Sequence, residues 1–101
     1  MSYYIKLHKT YRAVVAVCDE ELIGKTFEEG QRILQVLENF YKGEVIKEDK
    51  EQIELLIDLA KEDSTFNIIG KRSVEAAMKA GIVKKDGIMT VAGIPFAMIL
   101  L

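Results

Sequence analysis

At 101 residues, half of them hydrophobic, the chain is long enough for one hydrophobic core and too short for a core plus a deep enclosed pocket. Charged residues make up 30% with both signs interspersed, which excludes a disordered chain. A net charge of −2 and a pI near 5.4 disfavour a protein whose main task is to coat phosphate backbones, though local basic patches stay open.

Tyr3, Ile5 and Leu7 alternate with Tyr4, Lys6 and His8, the period-two signature of a half-buried strand. After the polar connection Lys9-Thr10-Tyr11-Arg12, the run Ala13 to Val17 predicts a second, more fully buried strand and so a first hairpin. Gly24-Lys25-Thr26 then breaks the pattern and leads to Phe27. Residues 31–41 carry two patterns at once. Ile33, Leu34, Leu37, Phe40 and Tyr41 fall at helical spacing, with Thr26, Glu28 and Glu29 as a helix start, but Gly30 would then cost about 1 kcal/mol inside the first turns. As a strand, Ile33, Gln35 and Leu37 face one way and Leu34 and Val36 the other. Periodicity alone tips slightly to helix. Phe40 to Ile46 reads as a turn into another strand.

Asp49 and Gln52 have the spacing of a capping box, and Ile53, Leu56, Ile57 and Ala60 form one apolar stripe, so a helix is predicted from Asp49 to about Lys61. Phe66 to Gly70 is expected as a short extended link. A second helix follows from Lys71 to Ala80, with Val74, Ala77 and Met78 inward and Gly81 as its stop. Lys84-Lys85-Asp86-Gly87 is a turn, and Ile88–Val91 pairs with Ile94–Leu100 as a closing hairpin around Ala92-Gly93.

Three places could carry chemistry. In the first, an apolar strand ends in Cys18 followed by Asp19, Glu20 and Glu21. A catalytic cysteine needs a thiolate, which neighbouring anions disfavour. His8 is the sole histidine, and the hairpin puts it near the turn while Cys18 lies near the open end. Asp19 and Glu21 could converge on a divalent cation, but no calcium-loop or zinc-ligand spacing accompanies them. A solvated exit loop is the plainer reading. In the second, Gly70, Lys71, Arg72 and Ser73 stand where a helix begins, and free amides at the positive end of a helix dipole suit a phosphate or an RNA backbone. Thr65 stands where a nucleotide-binding loop needs its first glycine, which excludes nucleotide hydrolysis. In the third, Gly93 to Leu101 is too apolar to lie bare, so it is covered or pairs with a second copy of the chain.

The lone cysteine excludes an internal disulfide and fits a reducing compartment. The N-terminus lacks the basic-then-apolar pattern of a secretory signal. No apolar run approaches the roughly 20 residues a membrane-spanning helix needs. The expectation is one cytoplasmic domain over residues 1–101 with no membrane partner.

Val15-Ala16-Val17-Cys18-Asp19-Glu20-Glu21-Leu22-Ile23-Gly24-Lys25, Phe40-Tyr41-Lys42-Gly43-Glu44, Asn67-Ile68-Ile69-Gly70-Lys71-Arg72-Ser73-Val74 and Gly93-Ile94-Pro95 together resemble a family of small archaeal proteins. That family is known as domain of unknown function 424. The resemblance covers nearly the whole chain and implies an archaeal, intracellular, stand-alone domain. It implies no activity, so no functional residue is carried over. It also shifts residues 31–41 toward strand.

The mixed order of elements predicts an α+β fold: a small, largely antiparallel sheet built from hairpins, with two helices on one face. The leading functional expectation is a non-enzymatic binding module serving RNA or a protein of the translation machinery through Gly70, Lys71, Arg72 and Ser73. The alternatives are a small enzyme or divalent-metal-binding protein using Cys18, Asp19 and Glu21, and a homodimer subunit joined through the C-terminal strand. No catalytic residue, metal or cofactor is assigned.

Overall fold

The computed structural model describes residues 2–9, 13–61 and 64–100. The alternating apolar residues of β1 (Tyr3–Lys9) pair antiparallel with β2 (Ala13–Asp19), so the first hairpin forms as expected. Its connecting residues 10–12 lie outside the described residues. From Val15 to Asp19, β2 is buried without interruption, because it runs through the middle of a sheet covered on both faces.

Residues 31–41 divide between the two patterns. β3 (Thr26–Glu29) and β4 (Arg32–Gln35) form a small separate hairpin, with Gly30 at φ 62° in its turn. A single helical turn, α1 (Glu38–Tyr41), follows and leads into β5 (Glu44–Ile46). Gly43 fits only because it has no side chain: an added Cβ would sit 2.3 Å from the Ile5 carbonyl oxygen.

α2 (Asp49–Ala60) occupies the predicted span, but without the capping box. Asp49 is the first helical residue rather than the cap, and its carboxylate turns to Tyr3 and Arg72. Gln52 is fully buried, with neither amide atom hydrogen-bonded. The expected link at 66–70 is instead a central strand, β6 (Ser64–Ile69), running parallel to β2 and antiparallel to β8. The strand is hard to read from sequence because its alternation is brief: buried Phe66 and Ile68 alternate with half-buried Thr65 and Asn67, and Ile69 breaks the period just before Gly70. α3 (Lys71–Lys79) then precedes the closing hairpin of β7 (Met89–Val91) and β8 (Ile94–Leu100). Ala92 at φ 51° and Gly93 at φ 79° form the two-residue turn whose twist suits a hairpin.

The main sheet has the order β5-β1-β2-β6-β8-β7, antiparallel at every pair except β2–β6. The fold is thus α+β, with three helices and eight strands among the described residues. α2 and α3 cover one face over a core of Val15, Val17, Leu56, Phe66, Ile68, Val74 and Ala77. The β3–β4 hairpin and α1 cover part of the other face, around Ala16, Cys18, Val36, Tyr41 and Ile69. Arg32 Nη1 donates to the Thr90 carbonyl at 3.1 Å and the Ala92 amide donates to Glu29 Oε1 at 2.8 Å, tying that hairpin to the β7–β8 turn. Among the described residues, no helix is long and apolar enough to cross a membrane.

Candidate functional site

The parallel pairing of β2 with β6 carries both strands to the same end of the sheet, where Cys18 lies beside Ile69. One residue further along each strand, Asp19 meets Gly70, and the two stretches singled out separately in the sequence become one site. Asp19 is only 3% exposed. Its Oδ2 accepts from the Arg72 amide at 3.1 Å, and its Oδ1 accepts from the Ser73 amide at 2.8 Å and from Ser73 Oγ at 2.7 Å. A buried carboxylate thus caps α3 from a different strand, neutralising the positive end of the helix dipole and satisfying two amides that have no partner within the helix.

This arrangement corrects the expectation of open amides at Gly70-Lys71-Arg72-Ser73. The helix starts where predicted, but the Arg72 and Ser73 amides already have an internal anion. Gly70 donates its amide to the Pro95 carbonyl at 2.9 Å, and Ser73 is fully buried. Of the four residues only Lys71 projects into solvent.

The Arg72 side chain folds back across β1 and α2 instead. Nη2 reaches Asp49 Oδ1 at 2.9 Å, and the guanidinium lies 4.8 Å from the centre of the Tyr3 ring. The Tyr3 hydroxyl donates to the same Asp49 oxygen. That hydrogen bond, seconded by Arg72, holds the Asp49 carboxyl below its ordinary value. Burial, then the bond to Asp49, pushes the Tyr3 hydroxyl up to about 12. Tyr3, Asp49 and Arg72 therefore clamp β1, α2 and α3 together beside the capped helix start. Lys79 lies on this flank of α3.

Sequence reasoning missed Tyr3 and Asp49 as partners of Arg72. Tyr3 read as a core aromatic and Asp49 as a local cap, and no spacing rule links residues this far apart in the chain.

The second set, Cys18, Asp19 and Glu21, is not brought together. Glu21 is exposed in the 3-10 turn Glu20–Leu22, whereas Cys18 and Asp19 are buried and Asp19 is committed to α3. Among the described residues, no three His, Cys, Asp or Glu side chains are grouped so as to hold a metal ion. The Cys18 thiol donates to the Asp19 carbonyl at 3.3 Å, and burial, reinforced by the charges of Asp19 and Glu21, pushes it from 9.0 up to about 12. His8 pairs with Val14 while Cys18 pairs with Tyr4, four residues along the ladder and so about 13 Å away. His8 stacks on Phe40 at 4.4 Å and bonds its carbonyl through Nε2 at 2.8 Å.

A buried thiol so far from its anionic form predicts inertness. Iodoacetamide at pH 8 is expected to alkylate Cys18 in the folded protein far more slowly than free cysteine, and at the free rate in urea. Equal rates in the folded protein would contradict the burial. The raised pKa also fixes a sign. The thiol's contribution to stability is complete below about pH 9 and is lost as pH climbs toward 12, so Cys18→Ala should flatten the alkaline fall.

On the other flank of α3, Lys71, Val74, Glu75 and Met78 face Lys85, Ile88 and Pro95 across an open groove of about 530 Å³. Its floor is apolar, a lysine stands on each wall, and Glu75 shares the α3 wall with Lys71.

The fold is similar to that in the crystal structure of an uncharacterized conserved protein from Methanopyrus kandleri. The two share 24% identity, with a TM-score of 0.83 over 99% of this chain and 93% of that one. No curated protein matches the chain. The profile of the family described as protein of unknown function, DUF424, matches residues 8–101, and the chain belongs to that family.

Proposed function

We propose that the chain is a non-catalytic binding module that takes an acidic, apolar-anchored segment of a protein partner in the groove between α3 and the closing hairpin. The observation that carries this reading is the pairing of Lys71 and Lys85, two cations against the one carboxylate of Glu75, across a floor of Val74, Met78, Ile88 and Pro95. Apolar anchors supply affinity in such a groove, and the lysines select for acidic flanks and speed encounter. A binding role also accords with the chemistry of the other candidates: Cys18 is buried as a neutral thiol, and Asp19 is consumed in capping α3.

RNA fits less well. Phosphate recognition at the start of α3 needed free amides, and those donate to Asp19, leaving Lys71 and Lys85 as point charges over an apolar surface. A protein of the translation machinery remains the kind of partner this reading would serve, its acidic segment seated between the two lysines.

Fluorescence anisotropy with a labelled Glu/Leu-rich peptide and a labelled single-stranded RNA, at low and physiological salt, separates the readings. The peptide should bind, and Lys71→Glu/Lys85→Glu should weaken it about tenfold, as expected for two rim charges. Tighter, steeply salt-dependent binding of the RNA that the same variant abolishes would replace this proposal with the nucleic-acid reading. Absence of peptide binding would overturn it.

A further inference from the structure

The outer half of β8 is an open sheet edge. β8 pairs with β6 along residues 96–100, but on its other flank β7 reaches only residues 94–96. Among the described residues, Ala97 to Leu100 therefore have no strand on that side. Met98 is 67% exposed and Leu100 72%, both on the sheet face away from α2 and α3. Ile33 of β4, itself 62% exposed, lines an apolar hollow of about 230 Å³ with Leu34, Phe96 and Met98.

Sheet edges in soluble proteins are ordinarily guarded by charge, proline or shortness. The opposite edge obeys this rule: β5 is three residues long, with Glu44 within it and Lys47 and Glu48 directly after it. The β8 edge is short as well, but nothing charged guards it. From Gly87 to Leu101 the sequence carries no charged residue, in a chain that is 30% charged. In a two-fold contact residue i meets residue j and j meets i, so a strand without charge brings no like-charged pair together in any register and offers nothing to a charged partner.

We propose that two copies of this chain associate edge to edge through Met98–Leu100 of β8, antiparallel about a two-fold axis through Ile99, joining two six-stranded sheets into one. An axis perpendicular to the sheet keeps like faces together, so Met98 of each copy stands opposite Leu100 of the other. The hollow beside Ile33 then lies next to the junction in both copies. With so short an edge, the dimer is concentration-dependent rather than permanent. This surface is separate from the lysine-rimmed groove, and Lys71→Glu/Lys85→Glu should leave association unchanged.

Sedimentation velocity over a concentration series tests the proposal. The wild type should shift from monomer to dimer. Met98→Lys and Leu100→Asp, both at exposed positions, should each stay monomeric while melting close to the wild-type temperature. Mixing the two variants should restore a heterodimer, because the register sets the introduced lysine of one copy against the introduced aspartate of the other. A wild type that stays monomeric throughout would overturn the proposal, as would dimerisation unaffected by Met98→Lys. Loss of dimer in both variants without rescue on mixing would overturn the register about Ile99.

Discussion

Asp19→Ala should destabilise the protein by about 3–4 kcal/mol, a loss that a helix-capping contact on the surface would not give. Removing an ordinary N-cap costs about 0.5–2 kcal/mol. Here the carboxylate is 3% exposed, and its three donors include the fully buried Ser73. Truncation leaves those donors away from water with nothing to accept from, and each orphaned buried donor adds about 1–3 kcal/mol before relaxation. For a domain of this size, the thermal midpoint should fall by roughly 15–25 °C.

Graded variants test the cause. Ser73→Ala loses one of the three bonds and should cost about 1 kcal/mol. Asp19→Asn keeps the shape but turns an NH₂ toward a backbone N–H, and should fall between the two. Urea melts of all three measure the ordering. An Asp19→Ala protein within about 0.5 kcal/mol of wild type would show that the carboxylate is a solvated strand exit after all.

Gly70→Ala should be worse still, at about 4 kcal/mol or more, and is expected to yield little folded protein. Gly70 sits at φ 110°, ψ 150°, a region open almost exclusively to glycine, where another residue incurs about 1–3 kcal/mol of strain. Space is the second problem. A Cβ there would lie 2.3 Å from Asp19 Cγ and 2.5 Å from Oδ2. The methyl group must therefore expel the carboxylate that caps the helix, so the cost of losing Asp19 is added to the strain. The two substitutions should accordingly fail to add. In Asp19→Ala/Gly70→Ala the clash disappears and only strain and the lost cap remain, so the double variant should be about 1–3 kcal/mol more stable than the summed single effects. Full additivity in a thermal-melt cycle would contradict the direct contact between the two positions.

These effects bear on function through placement. Asp19 and Gly70 fix where α3 begins, and α3 carries Lys71, Val74 and Met78 to one wall of the groove. The Tyr3–Asp49–Arg72 clamp holds the opposite flank of the same helix. The helix start thus supports a binding surface and is not that surface.

Much of the architecture was legible locally. Alternation in Tyr3–His8, the apolar stripe from Ile53 to Ala60 and the Gly81 stop all report backbone periods set within a few residues. Residues 31–41 resisted because a four-residue strand and a single helical turn share one window, and each pattern is too short to dominate. β6 was missed for a related reason: the alternation of Thr65, Phe66, Asn67 and Ile68 spans only four residues before Ile69 and Gly70 interrupt it. The capping box failed because Asp49 had better partners in Tyr3 and Arg72 than its own helix offered.

The candidate site divides the same way. Residue order alone established the α+β class, the family resemblance, the helix beginning at Lys71 and the uncharged final strand, because each is written in local spacing or composition. Which groups the site presents to solvent was decided only when β2 and β6 paired in parallel. That pairing drives Asp19 into the amides of a helix more than fifty residues away, since a buried carboxylate and unsatisfied N–H groups each need the other far more than either needs water.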